Sequence, residues 1–429
     1  MEIFNFDEIV SKFGTKTAVV SANQNYSYND LSKYAQELVK QYSLKKKYIV
    51  LVGNSSVLFI CQFLAVHYAK RTPIVISQHD TDKLDKILIN VANQWQFITD
   101  VVPTDDSLEH FEEGLLFCGA TSGTTGLPKM YQRNWQSWRI GFEICNKIYE
   151  LEEYQGITTT SPLTTSLGMH TLLLSLYFGK TFYTFDKADI IKNKMKTMLF
   201  TVPTYLSHVP QFKHTFQNIN GIVSCGGELT NQIILKWKEN HAEVKLYELY
   251  GSSETSLVAW QRVDGGKKES CVGQLFPNVS VNFTKEKTLM VKSPYLFSGY
   301  IGDAFQAPVL MDDVGTIKNN QLFIYARESD VINHGGNKVY PSEIEVILRK
   351  YLSDVVVFGV PNPSYGENII VMTTTNLINI EKLNKNLANF LPKYKIPSEY
   401  ISVEQIPETA SHKISRKELV SLYEKGTYQ

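Results

Sequence analysis

The segment Gly119-Ala-Thr-Ser-Gly-Thr-Thr-Gly-Leu-Pro-Lys129 gathers groups that suit a polyphosphate. Its glycines permit positive φ and let backbone N–H groups approach an anion. Thr121, Ser122, Thr124 and Thr125 add hydroxyl donors, and Lys129 adds a cation. The spacing is not the G-x-x-x-x-G-K-[ST] loop of P-loop NTPases, because Gly126 is followed by Leu-Pro-Lys-Met and no hydroxyl residue follows the lysine. Nor does the chain carry a convincing nucleophile-His-acid constellation. The chemistry indicated is therefore the holding of phosphates and the neutralisation of charge.

Such a loop needs a strand to launch it, and the apolar run Leu115-Leu-Phe-Cys118 supplies one. Upstream, the apolar run 47–53, a helical stretch 55–69 and the run 73–77 alternate as in a parallel sheet. The pattern returns with apolar runs at 198–203 and 219–227, a helical stretch from Thr230 to about Glu239, and a third run at 244–251. Two such blocks predict an α/β fold with two doubly wound subdomains, whose ligands bind at the carboxyl ends of the strands. Between Gly273 and Lys292 the texture changes to turn-punctuated β, read as a small antiparallel unit. After about Ser329 a compact α+β unit follows. Its first helix is expected to open on a capping box, Ser342-x-x-Glu345, with Ile344, Ile347, Leu348 and Tyr351 on one face; its second runs through Ile380, Leu383, Leu387 and Phe390.

The 429 residues carry 43 Lys+Arg against 43 Asp+Glu, a formal net charge of zero, which argues against broad capture of nucleic acid or anionic membrane. The five cysteines (61, 118, 145, 225 and 271) are scattered without C-x-x-C spacing and read as reduced core residues. The acidic start lacks a secretion signal, and the most apolar stretch, 57–69, is too short to span a bilayer. A soluble cytoplasmic protein is expected.

Thr121-Ser-Gly-Thr-Thr-Gly-Leu-Pro-Lys129 resembles the signature loop of the adenylate-forming superfamily of acyl-CoA ligases, peptide-synthetase adenylation domains and luciferases. The resemblance continues in order along nearly the whole chain: Tyr26-Ser-Tyr-Asn-Asp-Leu31, Gly226-Gly-Glu-Leu229, Tyr250-Gly-Ser-Ser-Glu254, Asp313-Val-Gly315, the region from Arg327 to Glu345, and the terminal motif from Pro407 to Arg416. It implies the adenylate-forming fold, with a large AMP-binding domain (residues 1–328) comprising the two subdomains and the small β unit, and a small mobile lid (residues 329–429). The implied reaction joins a carboxylate to the α-phosphate of ATP, releasing pyrophosphate, and then passes the acyl group to the thiol of CoA, releasing AMP.

The resemblance implies roles residue by residue. Thr121, Ser122, Gly123, Thr124, Thr125, Gly126 and Lys129 would embrace the β- and γ-phosphates. Glu254 would hold Mg²⁺, and Ser253, with Gly251 and Ser252, would lie along the α-phosphate. Tyr250 would stack on adenine beside Gly226, Gly227 and Glu228, while Asp313 and Arg327 would hold the ribose. Lys413 would bridge carboxylate and α-phosphate as the lid closes, and Gly335 and Gly336 would line the pantetheine channel in the second half.

Several positions depart from the family pattern. Ser329 stands at the pivot, Ala326 replaces a glycine before Arg327, and His412 precedes Lys413 where glycine is common. Thr164-Thr165 replaces an aromatic-histidine pair in the acyl-pocket segment 161–170, which also contains His170. Leu167, Met169, Leu172 and Leu257 would fit an acyl chain, and segment 162–170 offers no acidic partner for an amino acid's ammonium. The segments around Lys129-x-Tyr131, Trp138 and Phe297-Ser-Gly-Tyr300 are similar to short bacterial long-chain fatty-acid–CoA ligases. The expected substrate is a hydrophobic, fatty acid. The alternatives are a ligase loading acyl or aminoacyl groups onto a carrier protein and a silent nucleotide- or acyl-binding protein.

Overall fold

The computed structural model describes residues 2–101, 114–121, 128–184, 195–208, 218–376, 379–408 and 414–427. Three sheets organise them. The first has the strand order Trp95–Phe97, Tyr48–Val52, Thr72–Ile76, Leu115–Thr121, Lys129–Asn134, parallel except for the last. The second has thirteen strands, and its centre is the parallel set Thr181–Tyr183, Gly156–Thr159, Thr197–Thr201, Ile219–Cys225 and Lys245–Tyr250.

Both sheets are covered on two faces, and the two-residue repeat of a strand shows how. In the second sheet Phe200, Val223 and Tyr247 enter one core while their neighbours Leu199, Ile222 and Leu246 enter another with Ile234 and Trp237 of the helix Asn231–Asn240. In the first, Ile49, Leu51 and Val75 share that same main core, while Tyr48, Val50, Ile74 and Ile76 turn to Leu84 and Leu88. The helix Val57–Tyr68 is apolar nearly all round because it lies in the shared layer, burying Phe59, Ile60, Phe63 and Leu64. One continuous core thus locks both parallel blocks together.

The antiparallel unit expected after Gly273 is not separate. Cys271–Leu275 pairs with Ala259–Arg262 on one side and Gln321–Arg327 on the other, so Val309–Lys318, Thr288–Lys292 and Ser280–Phe283 extend the large sheet.

The third sheet is built from Ile332–His334, Asn337–Val339, Val355–Asn362, Gly366–Thr373 and Glu399–Ser402. It packs the helix Pro341–Leu348 on one face and Leu419 of the helix Arg416–Glu424 on the other. The expected capping box at its first helix does not form. Proline at the first turn starts the helix two residues early, so Tyr340 is the N-cap and makes no side-chain cap. Ser342 donates instead to the Tyr325 carbonyl, and buried Glu345 accepts from the Val357 N–H at 2.8 Å. Ile344, Ile347 and Leu348 are buried as the periodicity requires, whereas Tyr351 lies past the helix and is exposed. In the second helix, Ile380–Ala388, only Leu387 is fully buried and Ile380 faces solvent, while Phe390 lies past the helix end and is exposed.

All five cysteines are free thiols, four of them buried and Cys225 half-buried. Among the described residues no helix is long and apolar enough to cross a membrane.

Candidate active site

Leu115–Thr121 runs out to the phosphate-type loop and Lys129–Asn134 runs back, with Thr121 opposite Lys129. The Thr121 hydroxyl donates to the Lys129 carbonyl at 3.3 Å, closing the base of the loop. Ser122, Gly123, Thr124, Thr125 and Gly126 lie outside the described residues, as do His412 and Lys413.

The carboxyl ends of two adjacent parallel strands carry the other motifs. Gly226, at φ 82°, and Gly227 follow Ile219–Cys225, and Gly251 to Glu254 follow Lys245–Tyr250. The second turn is very tight. A Cβ on Gly251 would stand 1.6 Å from the Ser256 carbonyl oxygen, so this position admits only glycine. Ser252 and Thr255 close the turn through the Ser252 N–H to Thr255 Oγ1 bond at 3.1 Å, and Ser256 takes a left-handed φ of 54°.

Glu254 is held at both ends. Its carbonyl accepts from the Phe297 N–H at 2.8 Å, and its Oε1 accepts from the Tyr300 hydroxyl at 2.8 Å. The Lys129 ammonium lies 5.2 Å from the centroid of that same tyrosine ring. Tyr300 arrives because segment 298–301 pairs with the return strand: Gln132 N–H donates to Gly299 and Ile301 N–H to Met130. Tyr300 thus joins Lys129, at the start of the return strand, to the Glu254 carboxylate. One carboxylate is a fitting complement for Mg²⁺, which keeps most of its coordination for water and substrate phosphates; among the described residues no cluster of three or more His, Cys, Asp or Glu competes for that role.

Tyr250, Asp313 and Arg327 also converge. Asp313 and Arg327 are opposite each other in the antiparallel pair, and the Tyr250 hydroxyl donates to Asp313 Oδ2 at 2.6 Å. Burial pushes the Asp313 carboxyl above the usual range, outweighing the downward pull of the Tyr250 bond and of Arg327.

Glu228 is engaged from across the molecule. Its carboxylate meets Arg349 Nη2 at 2.9 Å, and Arg349 also reaches Glu345 at 3.2 Å. Burial opposes ionisation of Glu228, yet the Arg349 charge and hydrogen bond prevail and hold it below the usual value. The chain of charges continues through Arg416, 2.7 Å from Glu345 and 3.2 Å from Asp330. Beside it the Ser329 hydroxyl donates to Asp312 at 2.7 Å. Gly335 and Gly336 are both exposed at positive φ, and a Cβ on Gly336 would meet nothing within 4 Å.

Of the residues expected to fit an acyl chain, Met169, Leu172 and Leu257 are buried and Leu167 is partly buried. His170 lies edge-on to Trp138 at 5.3 Å and to Phe142 at 5.0 Å, and burial pushes its pKa down to about 3, so it is neutral at physiological pH.

Sequence reading did not place Tyr300, Arg133 or Arg349 in the site. Tyr300 appeared only in a family-like segment, and its partner lies 46 residues away. The available signal for Arg133 was a charged residue in the strand Lys-Met-Tyr-Gln-Arg-Asn, amid side chains of core type.

The AMP-binding enzyme model matches residues 47–301, and the AMP-binding enzyme C-terminal domain model matches residues 343–413. VraA of Staphylococcus aureus strain COL, provisionally named a long chain fatty acid-CoA ligase, is 30% identical over 424 residues, covering 91% of each chain. Among solved structures, Escherichia coli MenE with bound OSB-AMS superimposes with a TM-score of 0.82 at 15% identity, over 99% of this chain and 100% of that one. The o-succinylbenzoate CoA synthetase of Bacillus subtilis in complex with ATP and magnesium gives a TM-score of 0.79 at 19% identity, over 96% and 98%. The chain belongs to the AMP-binding enzymes, a family of AMP-forming ligases that activate acids as acyl-adenylates.

Proposed function

We propose that the protein is an ATP- and Mg²⁺-dependent acyl-CoA ligase for a hydrophobic carboxylic acid, a fatty acid by preference. The observation that carries this reading is the convergence, at the carboxyl ends of the strands, of Lys129, Tyr300 and Glu254 on one side and Tyr250, Asp313 and Arg327 on the other. Lys129 and the Glu254 carboxylate supply a cation and a metal-type ligand suited to a triphosphate, and Asp313 supplies a carboxylate able to accept from ribose hydroxyls.

In this reading the loop from Thr121 to Lys129 grips the β- and γ-phosphates, with Ser253 donating to the α-phosphate and Glu254 orienting the metal. Mg²⁺, when bound, neutralises the phosphate charge that repels the incoming carboxylate. Tyr250 and the backbone from Gly226 to Glu228 receive the base, and Asp313 and Arg327 receive the ribose. Lys413 bridges the two anions as they meet, and no covalent enzyme intermediate is required.

The unit from residue 329 acts as the lid, hinged at Ser329 after a main domain of residues 1–328. Its rotation withdraws Lys413 and presents Gly335 and Gly336 to the pantetheine arm of CoA. The exposed position of those glycines fits an orientation in which the second half-reaction is not yet assembled. Support for an apolar acid comes from buried Met169, Leu172 and Leu257 beside a neutral His170, and from the name carried by VraA. The neutral net charge suits a cytoplasmic enzyme whose anion chemistry is confined to one cleft.

Pyrophosphate release should be screened over short, medium, long and aromatic acids, with CoA or a holo-carrier protein as acceptor. Acid-dependent release with thioester formed on CoA, strongest for long chains, is the expected result. Thioester formed only on the carrier protein would replace CoA as acceptor. ATP binding without pyrophosphate release for any acid would leave a nucleotide-binding protein and overturn the reading.

A further inference from the structure

Arg133 is fully buried, and among the described residues it makes no ion pair with a carboxylate, Glu254 acting on it only through its charge. Its guanidinium instead spends both terminal nitrogens on backbone carbonyls from two distant segments. Nη1 donates to Tyr295 at 2.7 Å, and Nη2 donates to Ser253. The Ser253 carbonyl belongs to the peptide that joins Ser253 to Glu254. Tyr295 lies two residues before Phe297, whose N–H donates to the Glu254 carbonyl. The guanidinium therefore spans both strands of chain beside that backbone bond and closes a ring around Glu254.

The same cation rests 5.6 Å from the centroid of the Trp138 ring, and the Trp138 indole N–H donates to Ser256 Oγ at 3.0 Å. Thus the turn from Ser253 to Ser256 is gripped at its start by Arg133 and at its end by Trp138. Both grips come from the strand and helix that follow the phosphate loop. Desolvation pulls the Arg133 pKa down to about 10, so it remains a cation at neutral pH. An unpaired buried charge is expensive, and a guanidinium's planar fork loses little freedom when it bridges two fixed acceptors.

We infer that Arg133 is a positioning residue for adenylation, fixing the Ser253–Glu254 peptide relative to the phosphate loop so that the Glu254 carboxylate and the Ser253 hydroxyl are aimed at the metal-bound triphosphate. This inference rests on the adenylating function proposed above. Fixing one peptide plane sets the direction of both side chains, and a misplacement of about 1 Å is enough to cost on the order of 100-fold in rate. The second half-reaction starts from a finished adenylate and makes no demand on the metal carboxylate, so it should be spared.

The test compares Arg133→Gln and Arg133→Lys with the full-length wild type. Three quantities are read: acid-dependent ATP–pyrophosphate exchange against free Mg²⁺, thioester formation from supplied acyl-adenylate, and calorimetric binding of ATP with Mg²⁺ or with EDTA. Arg133→Gln should lose roughly 10- to 100-fold in exchange and need several-fold more Mg²⁺. It should weaken ATP binding only when Mg²⁺ is present, and keep thioester formation within about 3-fold. Arg133→Lys, which can reach one carbonyl with its point charge, should fall between the two. Equal losses in both half-reactions, or an unchanged Mg²⁺ requirement in a folded variant, would overturn the inference. If Arg133→Gln does not fold, Arg133→Lys alone decides by the same criteria. Wild-type protein that shows no exchange with any acid removes the functional reading instead; the Mg²⁺-dependent difference in ATP affinity between wild type and variant then still decides whether Arg133 orients Glu254.

Discussion

The Tyr300 hydroxyl donates to Glu254 Oε1 at 2.8 Å while its ring faces the Lys129 ammonium at 5.2 Å, so one side chain touches both the cationic and the acidic poles of the cleft. A hydrogen bond to a charged group contributes about 1.5–3 kcal/mol. Tyr300→Phe keeps the ring and removes that bond, and should lower ATP–pyrophosphate exchange roughly 10- to 100-fold with a raised Mg²⁺ requirement. Exchange that saturates at the same Mg²⁺ concentration as wild type would show that the hydroxyl does not orient Glu254.

Gly251 is the least substitutable position in the site. A methyl group there collides with the Ser256 carbonyl at 1.6 Å, and relief would require opening the turn that carries Ser253 and Glu254. Gly251→Ala should abolish detectable adenylation and cost about 3 kcal/mol or more of stability, read from urea denaturation. A variant as stable and active as wild type would mean that the turn is looser than described.

The Glu228–Arg349 pair ties the loop proposed to receive the base to the terminal unit. Arg349→Ala should free that unit, seen as faster hydrogen exchange around residues 328–331 and a larger radius in solution scattering. Acid should act the same way. Because the Glu228 carboxyl is held below its ordinary value of 4.5, its contribution is complete above about that pH and is lost as the pH falls through the lower folded value. An unchanged scattering profile in Arg349→Ala would remove the pair as a constraint.

Two buried histidines should make the fold acid-sensitive earlier than the carboxylates do. His67 sits between Phe4 and Phe63, and burial pushes it down to about 4; His170 is pushed down to about 3. Unfolded histidines take up protons near pH 6.5, so between that value and about 4 the unfolded chain binds protons that the folded chain refuses, and stability falls as the pH drops. The loss at pH 5 is on the order of 2 kcal/mol for each. Replacing both with phenylalanine should flatten the profile of urea stability between pH 7 and 5; an identical slope would assign the sensitivity elsewhere.

The parallel blocks were legible because their signal is local. The apolar run 219–227, the helical stretch from Thr230 and the run 244–251 fall where Ile219–Cys225, Asn231–Asn240 and Lys245–Tyr250 form. The glycine and hydroxyl motifs were legible for the same reason, since a tight turn such as Gly251 to Ser256 is specified within a few residues. What stayed hidden depends on pairs far apart in sequence. Arg133 is 120 residues from Ser253 and 162 from Tyr295, and Arg349 is 121 from Glu228. The Ser342-x-x-Glu345 pattern misled because Tyr325, Val357 and Arg416 recruit the two side chains from a distance, and tertiary partners override a local capping preference.

If the loop of Glu228 receives the base and the unit of Arg349 swings, as proposed, nucleotide affinity and lid position are thermodynamically linked. Whatever factor an occupied base site imposes on the lid's preferred orientation, the lid imposes the same factor on the grip of the base site. An enzyme wired in this way would release AMP at a rate that depends on the lid's orientation, making the departure of the last product an event of domain rotation rather than of diffusion alone.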